Sequence, residues 1–139
     1  MKATVTWTGN YTFIGQTESG HAIAFGAPKG DAPKPGPSPM ELLLLGAGGC
    51  SAVDVVGILE KSREAIEGCE VRLTSERAAT DPKVFTKIHM TFVVRGRNLN
   101  LAKVERAVAL SAEKYCSASI MLAKTATLTH SVELIETGA

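Results

Sequence analysis

Alternating apolar and polar residues dominate the first part of the chain, in the segments ATVTWT, YTFIGQT and HAIAFG. The turn sequences GN at 9–10 and ESG at 18–20 separate these segments. A period of two is typical of strands that bury one face of a sheet. The pattern therefore predicts a meander of three antiparallel strands over residues 3–26.

The segment 27–39, APKGDAPKPGPSP, holds five of the six prolines of the chain and cannot form regular structure. We expect an extended surface loop that leads into a long helix. Ser38 is suited to the N-cap, Pro39 to the first helical position and Glu41 to the third. This S-x-x-E spacing is a capping box, in which two side chains satisfy backbone N–H groups at the start of a helix.

An apolar stretch runs from Pro39 to Leu59, PMELLLLGAGGCSAVDVVGIL, and places Cys50 near its middle. It predicts the longest helix, ending near Ala65 with Gly68 as the stop signal. This helix is apolar nearly all round, so a small sheet leaves one apolar face without a partner. We therefore expect an obligate homodimer, with the glycines before Cys50 marking close helix contacts.

A period of two returns in 69–79, CEVRLTSERAA, and in 84–96, VFTKIHMTFVVRG. The turn signal Asp81-Pro82 between them predicts an antiparallel hairpin of two long strands. On the first of these strands Cys69 falls on the core side, where we expect a small buried residue.

Apolar residues at helical spacing predict a second helix over 101–115, capped by Asn98 or Asn100. A short helix over 117–123 and a last alternating strand over 125–136 complete the chain. The resulting order is βββ-α-ββ-α-(short α)-β, which is an α+β fold.

The composition is that of an ordinary globular domain, 45% hydrophobic and 21% charged with a net charge of +1. We therefore expect one domain over 1–139 that binds neither nucleic acid nor anionic membranes. The alternating N-terminus MKATVTWTGN is unlike an export signal. The uncharged run 42–53, which Asp54 ends, is too short to span a bilayer. These features predict a cytoplasmic protein whose cysteines are reduced.

Two cysteines, Cys50 and Cys116, fall in predicted helices among small residues, in GGCSA and YCSAS. A helix N-terminus favours the thiolate form of a cysteine, and Cys116 before the short helix fits that description. Cys50 lies in mid-helix, so its activation must come from neighbours. Because an anion disfavours a nearby thiolate, Asp54 can assist only as a hydrogen-bond acceptor or through a bridging water.

A simpler interpretation makes both cysteines small buried hydrophobes. A Cys50–Cys116 disulfide would stabilise the fold by roughly 4 kcal/mol, but a reducing cytosol favours a transient, catalytic bond over a permanent one. The sequence has no CxxC, no His/Cys ligand spacing, no phosphate loop and no nucleophile elbow. We therefore expect no metal and no cofactor.

The segments SPMELLLLGAGGC and KYCSASIML resemble the two signature segments of the OsmC/Ohr family. The resemblance covers essentially the whole chain, including TWTG near the start, TESG in the meander and the proline-rich loop. Within the family, GAGGCSAVDVV and SPMELLLL look closest to the small YhfA-like branch.

The resemblance implies an OsmC-like swapped homodimer, in which antiparallel sheets flank long central helices and the active sites lie at the subunit interface. In its hydroperoxide-reducing members, the first cysteine attacks the O–O bond and becomes a sulfenic acid. The second cysteine then forms a disulfide with it, and a dithiol reductant resets the pair. Carried over to this chain, Cys50 would be the peroxidatic cysteine and Cys116 the resolving one.

Two features differ from the peroxidases of that family. They hold the attacking sulfur as a thiolate with an arginine from the N-terminal half, whereas the first arginine here is Arg63. They place a glutamate directly after the proline to bind that arginine. Here that position is Met40, and the acid is Glu41, about 100° further around the helix. Lys29 or Lys34 could supply charge but not a planar bidentate fork.

The leading hypothesis is a thiol redox protein with Cys50 and Cys116 as its redox pair and at best modest hydroperoxide reductase activity. Glu41 and Asp54 are the candidate supporting residues. Its partners would be a second copy of the chain, an organic hydroperoxide and an unidentified dithiol reductant. The alternative is a non-catalytic module, in which a glycine-lined pocket takes a small apolar or lipid-like molecule and the cysteines are incidental.

Overall fold

A computed structural model describes residues 1–138 and confirms the predicted α+β element order. A π-helical turn over 111–115 follows the second helix directly. In chain order the elements are β1 (Ala3–Gly9), β2 (Thr12–Thr17), β3 (Ala22–Gly26), α1 (Pro39–Lys61), β4 (Ala65–Arg77), β5 (Phe85–Arg97), α2 (Leu101–Leu110), the π turn (Ser111–Tyr115), α3 (Ser117–Leu122) and β6 (Thr127–Glu136).

Internal contacts divide the chain into two compact units, Met1–Leu45 and a second that begins at Gly46. The expectation of a single domain over 1–139 stays a prediction. In the first unit, β1, β2 and β3 form the predicted antiparallel meander. Gly9 at φ 104° and Asn10 at φ 42° turn the chain between β1 and β2. Glycine and asparagine tolerate this left-handed conformation best, which is why the GN signal was informative.

The predicted capping box is present at the start of α1. The Ser38 N–H donates to Glu41 Oε1 at 2.9 Å, and the Glu41 N–H donates to Ser38 Oγ at 3.2 Å. The hydrogen bond from the Ser38 backbone, followed by the Ser38 side chain, lowers the pKa of the Glu41 carboxyl. The cap therefore fixes the first residue of the helix, as the spacing predicted.

The predicted end of α1 was wrong, because the helix stops at Lys61 and not near Ala65. Arg63 adopts φ 59° and its N–H donates to the Glu60 carbonyl at 3.0 Å. A non-glycine residue thus takes the left-handed position that usually ends a helix. Gly68, the predicted stop, lies inside β4 next to a register shift.

The second sheet has the order β4-β5-β6 and is mixed, which corrects the expectation of antiparallel sheets only. The pair β4–β5 is the predicted antiparallel hairpin. The pair β5–β6 is parallel, with Lys87 opposite Thr127 and Gly96 opposite Glu136. A parallel pair needs a long crossover, and α2, the π turn and α3 supply it.

α1 lies with one stripe of small and apolar residues on the inner face of this sheet. An added Cβ at Gly48 would come 2.8 Å from Leu73 Cδ1, so the glycine permits close approach of helix and sheet. In contrast, Gly46, Gly49 and Gly57 face open space within this chain. The buried positions of α1 are Ala47, Gly48, Ser51, Val55 and Leu59.

By length and composition, α1 is the single helix of residues 1–138 that could cross a bilayer, with a mean hydropathy of 2.0. The shorter run 42–53 considered from the sequence would not reach across. In the apolar segment of α1, 28% of the residues are buried inside this chain. Most of the apolar surface of α1 therefore has no partner here.

The carboxylate of Glu64 connects the end of α1 to the start of α2. It accepts the Asn100 N–H at 3.0 Å and pairs with Lys103 Nζ at 3.0 Å, and its side chain is 8% exposed. The hydrogen bond from the Asn100 backbone, followed by that from Lys103, lowers the Glu64 pKa. Asn100 is the N-cap of α2, with its side chain accepting from the Lys103 N–H.

We expect Glu64→Gln to lower the free energy of unfolding at neutral pH, because the charged carboxylate holds two donors. The folded-state pKa lies below the ordinary value of 4.5. The stabilisation is therefore complete above pH 4.5 and is lost as the pH falls through the folded-state pKa. Urea unfolding at neutral and acidic pH measures it, with the exposed Glu60→Gln as the matched control. A loss of equal size at both pH values would contradict this account.

Candidate functional site

The structure brings Cys50 and Cys116 together from opposite halves of the second unit. Cys50 lies in mid-α1, and Cys116 lies between the π turn and α3. The Cys50 side chain lies close to the Cys116 sulfur. Both thiols, like that of Cys69, are free. The two cysteines singled out from the sequence therefore form one local cluster.

The two thiols differ in accessibility. Cys116 is 0% exposed, whereas Cys50 is half-buried. The Cys50 sulfur has one hydroxyl nearby, Ser117 Oγ at 3.9 Å. A reagent from solution therefore reaches Cys50 first.

Two buried serines surround the Cys116 sulfur. Ser51 Oγ donates to it at 3.2 Å, and the Ser119 N–H donates to it at 3.3 Å. The Cys116 S–H donates to Ser119 Oγ at 3.0 Å, and the two serine hydroxyls are 3.2 Å apart. Ser51 and Ser119 are only 2% and 3% exposed. We call these two side chains the serine pair.

The serine pair was not predicted from the sequence, although spacing offered a signal for each member. Ser51 falls on the buried stripe of α1, four positions after Ala47 and four before Val55. Ser119 follows Cys116 by three positions, the spacing at which an N-cap side chain meets a backbone N–H. Serine is common at both kinds of position, so the signal identified no function.

The environment of Cys116 favours its thiolate. Burial by itself would raise the pKa of the Cys116 thiol, but the hydrogen bonds with Ser119, Ser51 and Cys50 outweigh burial and lower it. Cys69 shows the opposite case, since burial without such partners raises the pKa of its thiol. The position of Cys116 before the short helix predicted a stabilised thiolate. In the structure, hydrogen bonds from the neighbouring serines stabilise it.

The π turn determines where Cys116 lies. The sequence predicted an uninterrupted helix over 101–115, but the α-helix ends at Leu110. The Cys116 N–H closes the π turn by donating to the Ser111 carbonyl at 2.8 Å. Ser111 Oγ donates to Asp54 Oδ2 at 3.0 Å, which joins the turn to α1. π-helical insertions occur often at functional sites.

The remaining predicted site residues make other contacts. Asp54 accepts from Ser111, and Glu41 accepts from the Ser38 backbone in the capping box. Their supporting roles in chemistry stay predictions. Lys29 Nζ lies over the Tyr11 ring at 4.8 Å from its centroid.

The described part of the chain gives the two sulfurs neither a cationic hydrogen-bond donor nor a cluster of metal ligands. No lysine or arginine of residues 1–138 hydrogen-bonds to Cys50 or Cys116. Nor do the described residues include a group of three or more His, Cys, Asp or Glu that could hold a metal ion.

A cavity of about 300 Å³ adjoins the serine pair. Its floor includes the buried Met90 and Phe92, and its rim includes the exposed Glu113 and His130. A separate groove of about 520 Å³ runs along α1 past Gly57. The complete lining of the cavity is Ser51, Met90, Phe92, Ala112, Glu113, Ser119, Ala123, Leu128, Thr129 and His130.

Comparisons with known proteins agree on one family. A family model described as OsmC-like protein matches residues 29–131. Protein YhfA of Escherichia coli strain K12 is 51% identical over 135 residues, which are 97% of this chain and 98% of that protein.

Solved structures agree with this match. A hypothetical protein from Aquifex aeolicus VF5 is 32% identical with a TM-score of 0.86, over 99% of this chain and 97% of that one. The organic hydroperoxide resistance protein OhrB of Bacillus subtilis has the same fold, with a TM-score of 0.64, 19% identity and coverage of 96% and 98%.

The opposite pKa directions of Cys116 and Cys69 can be measured separately. We expect the thiolate absorbance of Cys50→Ser/Cys69→Ser to appear below the ordinary thiol pKa of 9.0. That of Cys50→Ser/Cys116→Ser should appear above 9.0. Because the folded-state pKa of Cys116 is lowered, its contribution to stability is complete above pH 9.0 and is lost as the pH falls through the folded-state value. Identical titrations would show that the serine pair does not act on the sulfur.

Proposed function

Since this chain belongs to the OsmC-like family, we propose that it is a thiol-dependent redox protein that reduces organic hydroperoxides with Cys50 and Cys116. The proposal is carried by one observation, the close approach of two free thiols that differ in exposure and in hydrogen bonding. A protein of the same fold, OhrB of Bacillus subtilis, is an organic hydroperoxide resistance protein.

In the first step, the Cys50 thiolate attacks one oxygen of the peroxide bond. The O–O bond breaks, a sulfur–oxygen bond forms, and the leaving alkoxide takes a proton to become the alcohol. Cys50 is thereby oxidised to a sulfenic acid while the peroxide is reduced. Cys50 suits this step because it is the accessible thiol of the pair.

In the second step, the Cys116 thiolate attacks the sulfenic sulfur of Cys50. The sulfur–sulfur bond forms, and hydroxide leaves and becomes water on protonation. Cys116 suits this step because its hydrogen bonds favour the thiolate and because Cys50 is adjacent. A dithiol reductant then returns both cysteines to thiols.

We propose a modest rate for the first step. The peroxidases that this sequence resembles use an arginine to hold the attacking thiolate, and none of the described residues places a cation on the Cys50 sulfur. Within this chain, the group that can stabilise a Cys50 thiolate is the Ser117 hydroxyl. A neutral hydroxyl stabilises an anion less than the charged guanidinium group of an arginine does.

The reaction predicts which thiols are lost on treatment with cumene hydroperoxide. In the native chain, an equivalent should remove two of the three free thiols within minutes and form the Cys50–Cys116 disulfide. Cys50→Ser should keep its thiols, since it lacks the attacking sulfur. Cys116→Ser should stop at a sulfenic acid that dimedone traps. Thiol titration and peptide mass mapping measure all three outcomes.

Cys69→Ser is the matched control and should form the same disulfide as the native chain. If cumene hydroperoxide leaves all thiols free, or if Cys50→Ser reacts like the native chain, the peroxidase proposal is wrong. Survival of the thiols would favour the non-catalytic module, in which the cysteines are incidental.

The proposal includes a homodimer in the cytoplasm, where thiols are kept reduced. A second copy of the chain would cover the apolar face of α1, on which Val53 is 73% exposed. Gly46, Gly49 and Gly57 leave open space that a partner helix can approach closely. An apolar helix face of this kind is costly to leave in water.

We expect the native chain to be a dimer in size-exclusion chromatography with light scattering. Val53→Glu should weaken the dimer by roughly tenfold or more, since an unpaired charge buried in an apolar interface is costly. Ala102→Glu adds the same charge at an exposed helix position and should leave the dimer intact. A native chain that is monomeric at micromolar concentration would overturn this part of the proposal.

A further inference from the structure

The hydrogen-bond donors of the site are distributed unequally between the two sulfurs. The Cys116 sulfur accepts hydrogen bonds from Ser51 Oγ at 3.2 Å and from the Ser119 N–H at 3.3 Å. Among residues 1–138, the Cys50 sulfur has one hydroxyl within hydrogen-bond reach, Ser117 Oγ at 3.9 Å. Negative charge is therefore better accommodated on the buried sulfur than on the accessible one.

We propose that the serine pair makes Cys116 the leaving sulfur when a Cys50–Cys116 disulfide is reduced, so that an incoming dithiol attacks Cys50. Ser51 and Ser119 act as positioning residues in this reaction, because they act through the Cys116 sulfur. The inference rests on the proposed redox pair and goes beyond it by assigning a direction to the reduction.

The exchange is balanced in two steps. A thiolate of the dithiol attacks Cys50 Sγ, a mixed disulfide forms, and the electron pair of the broken bond goes to Cys116 Sγ. The second thiolate of the dithiol then attacks its own mixed-disulfide sulfur, closes the oxidised dithiol and releases Cys50, which takes up a proton. The protein disulfide is reduced and the dithiol is oxidised.

Two properties make this direction the favourable one. Exchange is faster when the attacked sulfur is accessible, and Cys50 is half-buried while Cys116 is 0% exposed. Exchange is also faster when the leaving thiolate is stabilised, and the donors of the serine pair meet at Cys116. The accessibility of Cys50 and the stabilisation of the Cys116 thiolate therefore both favour attack on Cys50 with Cys116 as the leaving sulfur.

The serine hydroxyls can reorient when the Cys116 thiol becomes a thiolate. In the thiol form, Ser119 Oγ accepts the Cys116 S–H at 3.0 Å. When Cys116 becomes a thiolate, the same hydroxyl can rotate and donate to it, as Ser51 already does. Both hydroxyls line the cavity of about 300 Å³.

The titratable groups around Cys116 are few in the described part of the chain. Cys50 on α1 lies close to it. Asp54, also on α1, is occupied by Ser111 Oγ at 3.0 Å. Glu113 of the π turn and His130 of β6 lie at the exposed rim of the cavity. The nearest stabilisation of charge on Cys116 thus comes from hydroxyls and a backbone N–H.

Trapping with glutathione tests the direction of attack. The native chain is oxidised with diamide, which needs no peroxide, and is then exposed briefly to glutathione and quenched with acid. We expect the glutathione adduct on Cys50, with Cys116 free, in peptide mass mapping. An adduct mainly on Cys116 would overturn the proposal.

Alanine variants test the serine pair. Ser51→Ala and Ser119→Ala should each slow reduction of the disulfide by dithiothreitol about fivefold, because the leaving thiolate is less stable. Each should also move the Cys116 thiolate titration to higher pH. Ser131→Ala removes a hydroxyl that donates to Thr91 Oγ1 at 3.2 Å and to neither sulfur, and should change neither quantity. Circular dichroism confirms that each variant is folded.

The outcomes separate this inference from the proposed function. Failure of cumene hydroperoxide to oxidise the thiols ends the peroxidase proposal but leaves the diamide experiment intact. Native reduction rates and an unmoved titration in both alanine variants overturn the inference while the peroxidase proposal stands. Failure of diamide to form the Cys50–Cys116 disulfide would overturn both.

Discussion

A hydroxyl in an apolar core must have its hydrogen bonds made, and this constraint at Ser51 organises the second unit. Ser51 is a residue of α1 whose hydroxyl donates to Met90 Sδ of β5 at 3.8 Å and to Cys116 Sγ at 3.2 Å. No buried side-chain nitrogen or oxygen in the described chain lacks a partner. Satisfying Ser51 therefore fixes the distance between α1 and the segment that carries Cys116. The hydrogen bonding of one buried hydroxyl thus helps to bring the two cysteines of the proposed redox pair together.

The division of properties between the two cysteines follows from that arrangement. A sulfur that is surrounded by hydrogen-bond donors is also shielded from solvent. A single cysteine therefore cannot easily have both a well-stabilised thiolate and good access to solvent. Here Cys116 has the donors, and Cys50 has the access. The arginine that would reconcile the two requirements at one sulfur is absent from the described site. The protein therefore distributes them over two residues.

Local signals allowed much of the fold to be predicted. The capping box at Ser38, the turn at Gly9 and the alternating strands depend on neighbours in sequence, and all are present. The parallel pairing of β5 with β6 and the π turn depend on tertiary contacts, which no local pattern encodes. For the same reason Cys50 and Cys116 were identified while Ser51 and Ser119 were not. A cysteine is unusual in a helix, whereas a serine becomes informative only once its partner is known.

The parallel strand pair has a consequence for synthesis of the chain. β6 follows the crossover in the chain, so it joins the sheet beside β5 only after the whole crossover has been made. Cys116 lies on that crossover, whose two ends are both joined to the second sheet only once β6 has left the ribosome. Cys50 emerges much earlier, on a helix that is complete by Lys61. The strand pairing that completes the crossover therefore forms only after Cys50 and the whole of α1 have been synthesised.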